Sequence, residues 1–135
     1  MKKRILFLCT GNSARSQLAV ALMRHLRGDE FEVYSAGTDP KGVHPLTIEV
    51  LREIGIDASA QQSKHIDDLP VKDFDYIITL CGSAAQNCPV FCGKGIKMHH
   101  GFDDPAAVTG SEPDIFDSFR KVRDQIKKFI LGFQA

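Results

Sequence analysis

The stretch Ile5-Leu6-Phe7-Leu8-Cys9-Thr10-Gly11-Asn12-Ser13-Ala14-Arg15-Ser16 joins an apolar run to a short polar loop, and it decides the fold of this chain. An apolar run that leads through a glycine-containing loop into a helical pattern is typical of a buried strand followed by a helix. Such a loop turns several backbone N–H groups toward one point, where an oxyanion can sit. We interpret seven residues as the oxyanion-binding loop: Thr10, Gly11, Asn12, Ser13, Ala14, Arg15 and Ser16.

Cys9 is the candidate nucleophile of this loop, and Arg15 is the candidate anion clamp. A guanidinium presents a planar fork of donors that binds two oxygens of a tetrahedral anion at once. The same positive surroundings favour the thiolate of a cysteine, whose ordinary pKa of about 8.5 leaves it mostly protonated at neutral pH. The alternative is a structural cysteine at the end of a core strand, with Arg15 as a solvated surface charge.

The length of 135 residues suits one domain, residues 1–135, with a single core. The 17 basic and 17 acidic residues cancel, so the charge favours neither nucleic acid nor an anionic membrane as a partner. The apolar run that ends at Leu8 is too short for a signal peptide or a membrane span. We therefore expect a cytoplasmic monomer that binds a small anion and needs no cofactor or metal. In that compartment, the four cysteines are expected to be chemically active rather than paired in structural disulfides.

Strand-like runs alternate with helix-like ones along the chain, which predicts an α/β fold with a parallel sheet. The expected strands are residues 4–9, 32–36, 76–80 and 96–99, and the expected helices are residues 17–26, 45–54 and 112–133. Gly55 follows the second helix as a stop signal. The last helix carries a stripe that we expect to pack in the core: Ile115, Phe119, Val122, Ile126, Phe129 and Ile130.

Cys9 and Cys81 each close a predicted strand, at the edge of the sheet where ligands bind in open α/β folds. Cys88 follows Cys81 after six intervening residues. In a helix this spacing would separate the two Cα atoms by roughly 10 Å, which exceeds the ~7 Å limit for a disulfide. A Cys81–Cys88 disulfide would then require local unwinding, as in a redox switch with a labile product.

A metal site is the competing interpretation of the same region. Five potential ligands lie within twenty residues: Cys81, Cys88, Cys92, His99 and His100. Their spacing departs from the paired, short-spaced ligands of structural zinc sites. Cys92 has no assigned function under either interpretation.

Asp103 and Asp104 lie in a loop before the final helix. Chemistry on a tetrahedral oxyanion needs an acid that protonates the departing oxygen, and a partly desolvated aspartate can hold that proton near neutral pH. Asp104, next to the rigid Pro105, is the candidate acid, whereas Asp103 fits a loop cap.

Four motifs occur in one order: Cys9-x5-Arg15-Ser16, then Tyr34-Ser35-Ala36-Gly37, then Cys81 with Cys88, and finally Gly101-Phe102-Asp103-Asp104-Pro105. Together they resemble the thioredoxin-coupled arsenate reductases, which are built on the low-molecular-weight phosphotyrosine phosphatase fold. The resemblance covers almost the whole chain. It implies a three-layer sandwich with a four-stranded parallel sheet, arsenate as the substrate and thioredoxin as the partner.

The resemblance further implies a relay of three thiols. Cys9 would attack arsenate held by the loop and Arg15, while Asp104 protonates the oxygen that leaves as water. Cys81 would then attack the sulfur of Cys9 and release arsenite. Cys88 would attack Cys81 and form the disulfide that thioredoxin reduces.

Other positions match the family or depart from it. Asn12 and Ser16 match residues that brace the loop and stabilise the thiolate, although simple loop capping would also explain them. Val20 and Lys64 replace two carboxylates with which some members bind potassium, so we expect no potassium dependence. The Lys64 ammonium taking the place of the ion is one hypothesis, and an ordinary surface lysine is the other. Ala14 replaces a further cysteine that lies outside the relay.

Two other functions remain open from the sequence. A phosphatase would use Cys9, Arg15 and Asp104 in the same way, with water attacking the intermediate. Cys81 and Cys88 have no function in hydrolysis, and Ala106-Ala107 stands where phosphatases carry tyrosines, so reduction is favoured and weak phosphatase side activity is expected. The second rival is a binding or sensor module that holds zinc or trivalent arsenic on its cluster of cysteines and histidines. A low-molecular-weight thiol in place of thioredoxin would change only the partner.

Overall fold

The computed structural model describes residues 2–71, 73–80 and 95–134. Within these ranges the chain forms four strands and three α-helices. The elements in chain order are β1 (Lys3–Cys9), α1 (Arg15–Arg27), β2 (Phe31–Gly37), α2 (Pro45–Arg52), β3 (Tyr76–Thr79), β4 (Ile96–His99) and α3 (Glu112–Gly132). Short 3-10 turns lie at Ile66–Asp68 and Pro105–Ala107.

The four strands form one parallel sheet in the order β2-β1-β3-β4. Leu8 pairs with Ala36 on one side and with Thr79 on the other. The chain runs from β1 outward to β2 and later returns to the other side of β1 as β3. The carboxyl end of β1 is therefore the switch point at which open parallel sheets bind their ligands.

Side chains of β1 alternate between two cores, as a strand period of two requires. Ile5 and Phe7 pack among the helices, whereas Leu6 and Leu8 pack with residues of the segment from Ile66 to Phe74 on the opposite face. All four are fully buried. Burial on both faces explains why β1 is a continuous apolar run rather than an alternating one, and it confirms the predicted layered α/β architecture.

The ends of α2 and α3 are set by local signals. Past α2, Ile56 N–H donates to the Leu51 carbonyl and Gly55 N–H donates to the Arg52 carbonyl, each at 3.0 Å. Gly55 has φ +84°, so it occupies the left-handed position that closes a Schellman motif. A capping box of Ser111 and Asp114 begins α3.

The apolar stripe predicted on the last helix is confirmed. Phe119, Val122, Ile126 and Ile130 of α3 are at most 2% exposed, and Ile115 and Phe129 pack against the same core partly buried. None of the helices in the described ranges has the length and apolar character needed to cross a membrane.

Candidate active site

Cys9 is the last residue of β1 and is 3% exposed. Residues 10–14 connect it to α1, which begins at Arg15. The strand, loop and helix predicted from the opening motif are therefore present in that order. The structure places the candidate nucleophile at the switch point of the sheet.

The loop is held from outside through its carbonyl groups. The Thr10 carbonyl accepts from Asp39 N–H at 2.9 Å, the Gly11 carbonyl from Lys41 N–H at 2.9 Å, and the Ser13 carbonyl from His44 N–H at 3.1 Å. Because a trans peptide points its N–H group opposite to its carbonyl, the following amides of residues 11, 12 and 14 face away from that outer segment. This orientation is what an anion-binding loop requires.

Gly37 lets the loop lie close to β2. A Cβ atom at this position would come within 2.5 Å of the Thr10 carbonyl oxygen and within 3.0 Å of the Asn12 backbone nitrogen. Any larger residue would therefore push the loop away from the sheet. Steric contact with the loop thus explains why the Tyr34-Ser35-Ala36-Gly37 motif ends in glycine.

Asn12 braces the loop from inside. It is fully buried and has φ +46°. Its amide nitrogen Nδ2 donates to Ser16 Oγ at 2.7 Å, and its Oδ1 accepts from Lys64 N–H at 2.9 Å and from Gln17 Nε2 at 3.1 Å. The structure therefore brings Asn12 and Ser16 into direct hydrogen-bond contact.

Sequence reasoning missed the polar segment that supports Asn12. Gln17, which is 1% exposed, also donates to the carbonyls of Asn12 and Gln62 at 3.0 and 3.1 Å. Gln61 Nε2 donates to Gln17 Oε1 at 2.7 Å, and Ser63 Oγ donates to the Gly11 carbonyl at 3.1 Å. The only signal in the sequence was the run of polar residues from Gln61 to Lys64, which does not name its partners.

Arg15 extends from the start of α1 toward the loop that carries Asp104. Its Nη1 donates to the Phe102 carbonyl at 3.1 Å, and its Nη2 lies 3.7 Å from Asp104 Oδ2. The other carboxylate oxygen of Asp104 accepts from Ala106 N–H at 3.0 Å and caps the 3-10 turn. The Asp104 side chain is 43% exposed at the mouth of the site, so part of its surface is withdrawn from water.

These groups enclose a cavity of about 330 Å³. It is lined by Cys9, Thr10, Gly11, Ser13, Ala14, Arg15, Lys41, Asp104 and Ala106. The structure thus brings Cys9, Arg15 and Asp104 together around one space. Asn12 and Ser16 lie behind its wall, where their side chains hold the loop.

Cys81, Cys88 and Cys92 lie outside the described residues. Leu80, the described residue that precedes Cys81 in sequence, donates its N–H to the Leu8 carbonyl at 2.9 Å. Leu80 therefore lies beside Leu8, the residue that precedes Cys9. In the described ranges, no group of three or more His, Cys, Asp or Glu side chains could hold a metal ion. That finding does not bear on the three cysteines of the alternative metal site.

A second cavity, of about 570 Å³, has Gln17, Val20 and Lys64 among its lining residues. Val20 is 2% exposed. Burial lowers the pKa of Lys64, and the nearby Arg24 guanidinium lowers it further. The backbone N–H of Lys64 holds Asn12.

Comparison with known proteins agrees with this geometry. The family described as low molecular weight phosphotyrosine protein phosphatase matches residues 4–134. The chain therefore belongs to the low molecular weight phosphotyrosine protein phosphatase family.

Within this family, the chain is similar to proteins named arsenate reductase, which confirms the predicted resemblance. The arsenate reductase of Halalkalibacterium halodurans is 46% identical over 132 residues, which cover 98% of this chain and 95% of that protein. The solved structure of an arsenate reductase in the reduced state has a TM-score of 0.78 at 32% identity and covers 97% of this chain and 95% of that one. A thioredoxin-dependent arsenate reductase of Corynebacterium glutamicum has a TM-score of 0.66 at 30% identity, over 96% of this chain and 62% of that one.

Proposed function

We propose that this protein reduces arsenate to arsenite by a relay of three cysteines that thioredoxin regenerates. The observation that carries the proposal is the cavity that joins Cys9, the loop, Arg15 and Asp104. Cys81 follows Leu80 in sequence, and Leu80 is bonded to the strand that ends in Cys9. The candidate nucleophile, anion clamp and acid thereby surround one cavity, and the proposed second thiol comes next in sequence after Leu80.

The first proposed step forms a bond between the Cys9 sulfur and arsenic. The Cys9 thiolate displaces one arsenate oxygen, which leaves as water after it receives a proton from Asp104. Arg15 and the loop amides bind the remaining oxygens. Arsenic stays pentavalent in this step, since a substitution moves no electrons onto it.

The second and third steps carry the reduction. The Cys81 thiolate attacks the Cys9 sulfur, the sulfur–arsenic electron pair passes to arsenic, and arsenite leaves as a Cys9–Cys81 disulfide forms. The Cys88 thiolate then attacks Cys81, which frees Cys9 and leaves a Cys81–Cys88 disulfide. Two electrons from the thioredoxin dithiol reduce this disulfide and close the cycle.

Relatives named arsenate reductase support the substrate, and a structural relative named thioredoxin-dependent supports the reductant. We further propose that the chain works in the reducing cytosol, because a thiol relay needs a compartment that keeps its thiols reduced. We also propose that it is a one-domain monomer.

A phosphatase is the second candidate function, since the family also takes its name from phosphotyrosine. Cys9, Arg15 and Asp104 would act identically on a phosphate monoester. Ala106 lines the cavity wall and offers no aromatic surface for a phosphotyrosine ring. We therefore propose phosphatase activity only as a weak side reaction.

The test is NADPH oxidation after arsenate is added to the protein with thioredoxin and thioredoxin reductase. Cys88→Ser should abolish sustained oxidation, whereas Cys92→Ser, which makes the same chemical change outside the relay, should retain it. Hydrolysis of p-nitrophenyl phosphate is measured with the same variants. Absence of arsenate-dependent oxidation, together with phosphate-ester cleavage that Cys88→Ser leaves intact, would establish a phosphatase instead.

A further inference from the structure

Lys41 lines the active-site cavity but has no function in the proposed reaction. Its backbone N–H donates to the Gly11 carbonyl at 2.9 Å. Its side-chain stem lies over the loop, because a Cβ atom added at Gly11 would be 3.4 Å from Lys41 Cγ. The ammonium therefore extends from a fixed point on the rim of the cavity.

The charge balance of the cavity gives this ammonium a purpose. Among the described lining residues, the charged side chains are Arg15, Lys41 and Asp104. Asp104 carries the proton that it gives to the leaving oxygen, so the Arg15 guanidinium and a Cys9 thiolate cancel one another. Lys41 therefore gives the described lining a net positive charge that attracts an incoming dianion, in addition to the loop N–H groups.

Among the described residues, the Lys41 ammonium forms one ion pair, with the Asp39 carboxylate. Its Nζ lies 2.9 Å from Asp39 Oδ2, and both side chains are 65% exposed. Exposed ion pairs of this kind contribute little to stability. The Lys41 ammonium can therefore exchange the Asp39 carboxylate for an oxygen of a bound oxyanion at a small cost in free energy. The flexible lysine side chain permits this exchange.

We propose that Lys41 is a specificity-determining residue that attracts and holds the dianionic form of the oxyanion, with Asp39 competing for its ammonium. This inference rests on the proposed function only in that the cavity takes a tetrahedral oxyanion. Because Lys41 acts in binding, its substitution should change KM and the dissociation constant of the oxyanion. The chemical step depends on other residues.

The test compares three variants by titration calorimetry with inorganic phosphate at low ionic strength. Lys41→Met keeps an aliphatic stem over Gly11 and should weaken phosphate binding about threefold to tenfold, a difference that shrinks at high salt. Asp39→Asn frees the ammonium and should tighten binding about twofold. Lys121→Met makes the same charge change on an exposed part of α3 and should bind like the wild type.

The arsenate assay then separates this inference from the proposed function. Lys41→Met should raise KM by the same factor with kcat nearly unchanged. If the wild type reduces arsenate while Lys41→Met retains its KM and phosphate affinity, the inference is wrong and the relay stands. If arsenate is not reduced but Lys41→Met selectively loses phosphate affinity, the inference stands and the relay is wrong. Equal losses in Lys41→Met and Lys121→Met would also overturn it.

Discussion

Asn12 has an unusual backbone conformation, and both polar atoms of its side chain form hydrogen bonds. Its φ of +46° makes it the one non-glycine residue of the described ranges in the left-handed region, where asparagine is tolerated better than most residues. Its amide group also links Ser16 with the N–H of Lys64. Both properties fix the path of the loop that forms the cavity wall.

We predict that Asn12→Gly lowers kcat/KM for arsenate about tenfold, or about 1.4 kcal/mol, because the glycine keeps the backbone conformation but loses the buried hydrogen bonds. Asn12→Ala should lose more, since it adds strain at positive φ. The control is Gln62→Ala, because Gln62 joins the network through its carbonyl alone. A value for Asn12→Gly within twofold of the wild type would contradict the prediction.

Lys64 carries a charge whose burial is unfavourable. Its lowered pKa means that the folded state binds the proton less well than the unfolded chain. The destabilisation from this buried charge has its full size below the folded pKa of Lys64, and it disappears as the pH rises toward the unfolded pKa.

We predict that Lys64→Met raises Tm by about 1–3 °C at pH 7 and by less at pH 10. Lys97→Met, an exposed lysine in β4, is the control. A lower Tm for Lys64→Met would instead favour an ammonium that replaces a cation.

Potassium dependence tests the same position independently. Apolar Val20 and cationic Lys64 line the cavity behind the loop, and the carboxylate in its lining, that of Asp57, already accepts from Ser59 N–H and Oγ. The described lining therefore attracts a cation only weakly. We expect the KM for arsenate to be the same in potassium and sodium salts of equal ionic strength. Severalfold activation by potassium alone would show that a cation site exists despite these residues.

Among the elements, the helix ends show how local signals act. Gly55 and Gly132 both have open space where a Cβ atom would stand. Gly55 has φ +84° after α2, whereas Gly132 lies inside the last turn of α3. The two glycines therefore differ in backbone conformation and not in steric room.

We predict that Gly55→Ala destabilises the protein by about 1 kcal/mol, since alanine is strained in the left-handed conformation. Gly132→Ala should be neutral or stabilising by up to about 1 kcal/mol, because the helical conformation suits alanine. Chemical denaturation measures both changes in free energy of unfolding. Equal effects of the two substitutions would contradict the conformational explanation.

The elements themselves could be predicted from the sequence to within two residues at each end. The continuous apolar run of β1 and the periodic apolar stripe of α3 both leave a signal in the sequence. The supports of the catalytic loop leave none, because Gln61 contacts Gln17 across 44 positions and Ser63 contacts Gly11 across 52. The degree to which Asp104 is exposed could not be predicted for a related reason, because the exposure of a loop carboxylate depends on tertiary packing.

At the scale of the whole molecule, α1 ties the catalytic loop to distant parts of the chain. Arg15 at its start reaches the Phe102 carbonyl, and Arg27 at its end reaches the carbonyls of Ile130 and Phe133. The helix that presents the anion clamp is thereby fixed to the loop of the candidate acid and to the end of α3. The site consequently depends on the packing of the helical layer as well as on its own motif.

Glu53 links two helices of that layer. Past the end of α2, its carboxylate accepts from Arg120 Nη2 at 2.7 Å and from Arg123 Nη1 at 2.9 Å, both on α3. Arg123 also donates to the Val50 carbonyl at 2.9 Å. The hydrogen bond from Arg120 is the largest cause that lowers the pKa of Glu53.

A lowered carboxylate pKa means that the stabilisation is present above the unfolded pKa, about 4.5, and is lost as pH falls through the folded value. We predict that Glu53→Gln costs about 0.5–1 kcal/mol at pH 7, since the carboxylate is partly exposed, and nothing once the pH lies below the folded pKa. Glu49→Gln breaks only an exposed pair with Arg52 within α2 and should show a smaller cost. Urea unfolding from pH 7 to pH 3 measures both variants. A cost for Glu53→Gln that persists unchanged at pH 3 would mean that packing, rather than charge, joins α2 to α3.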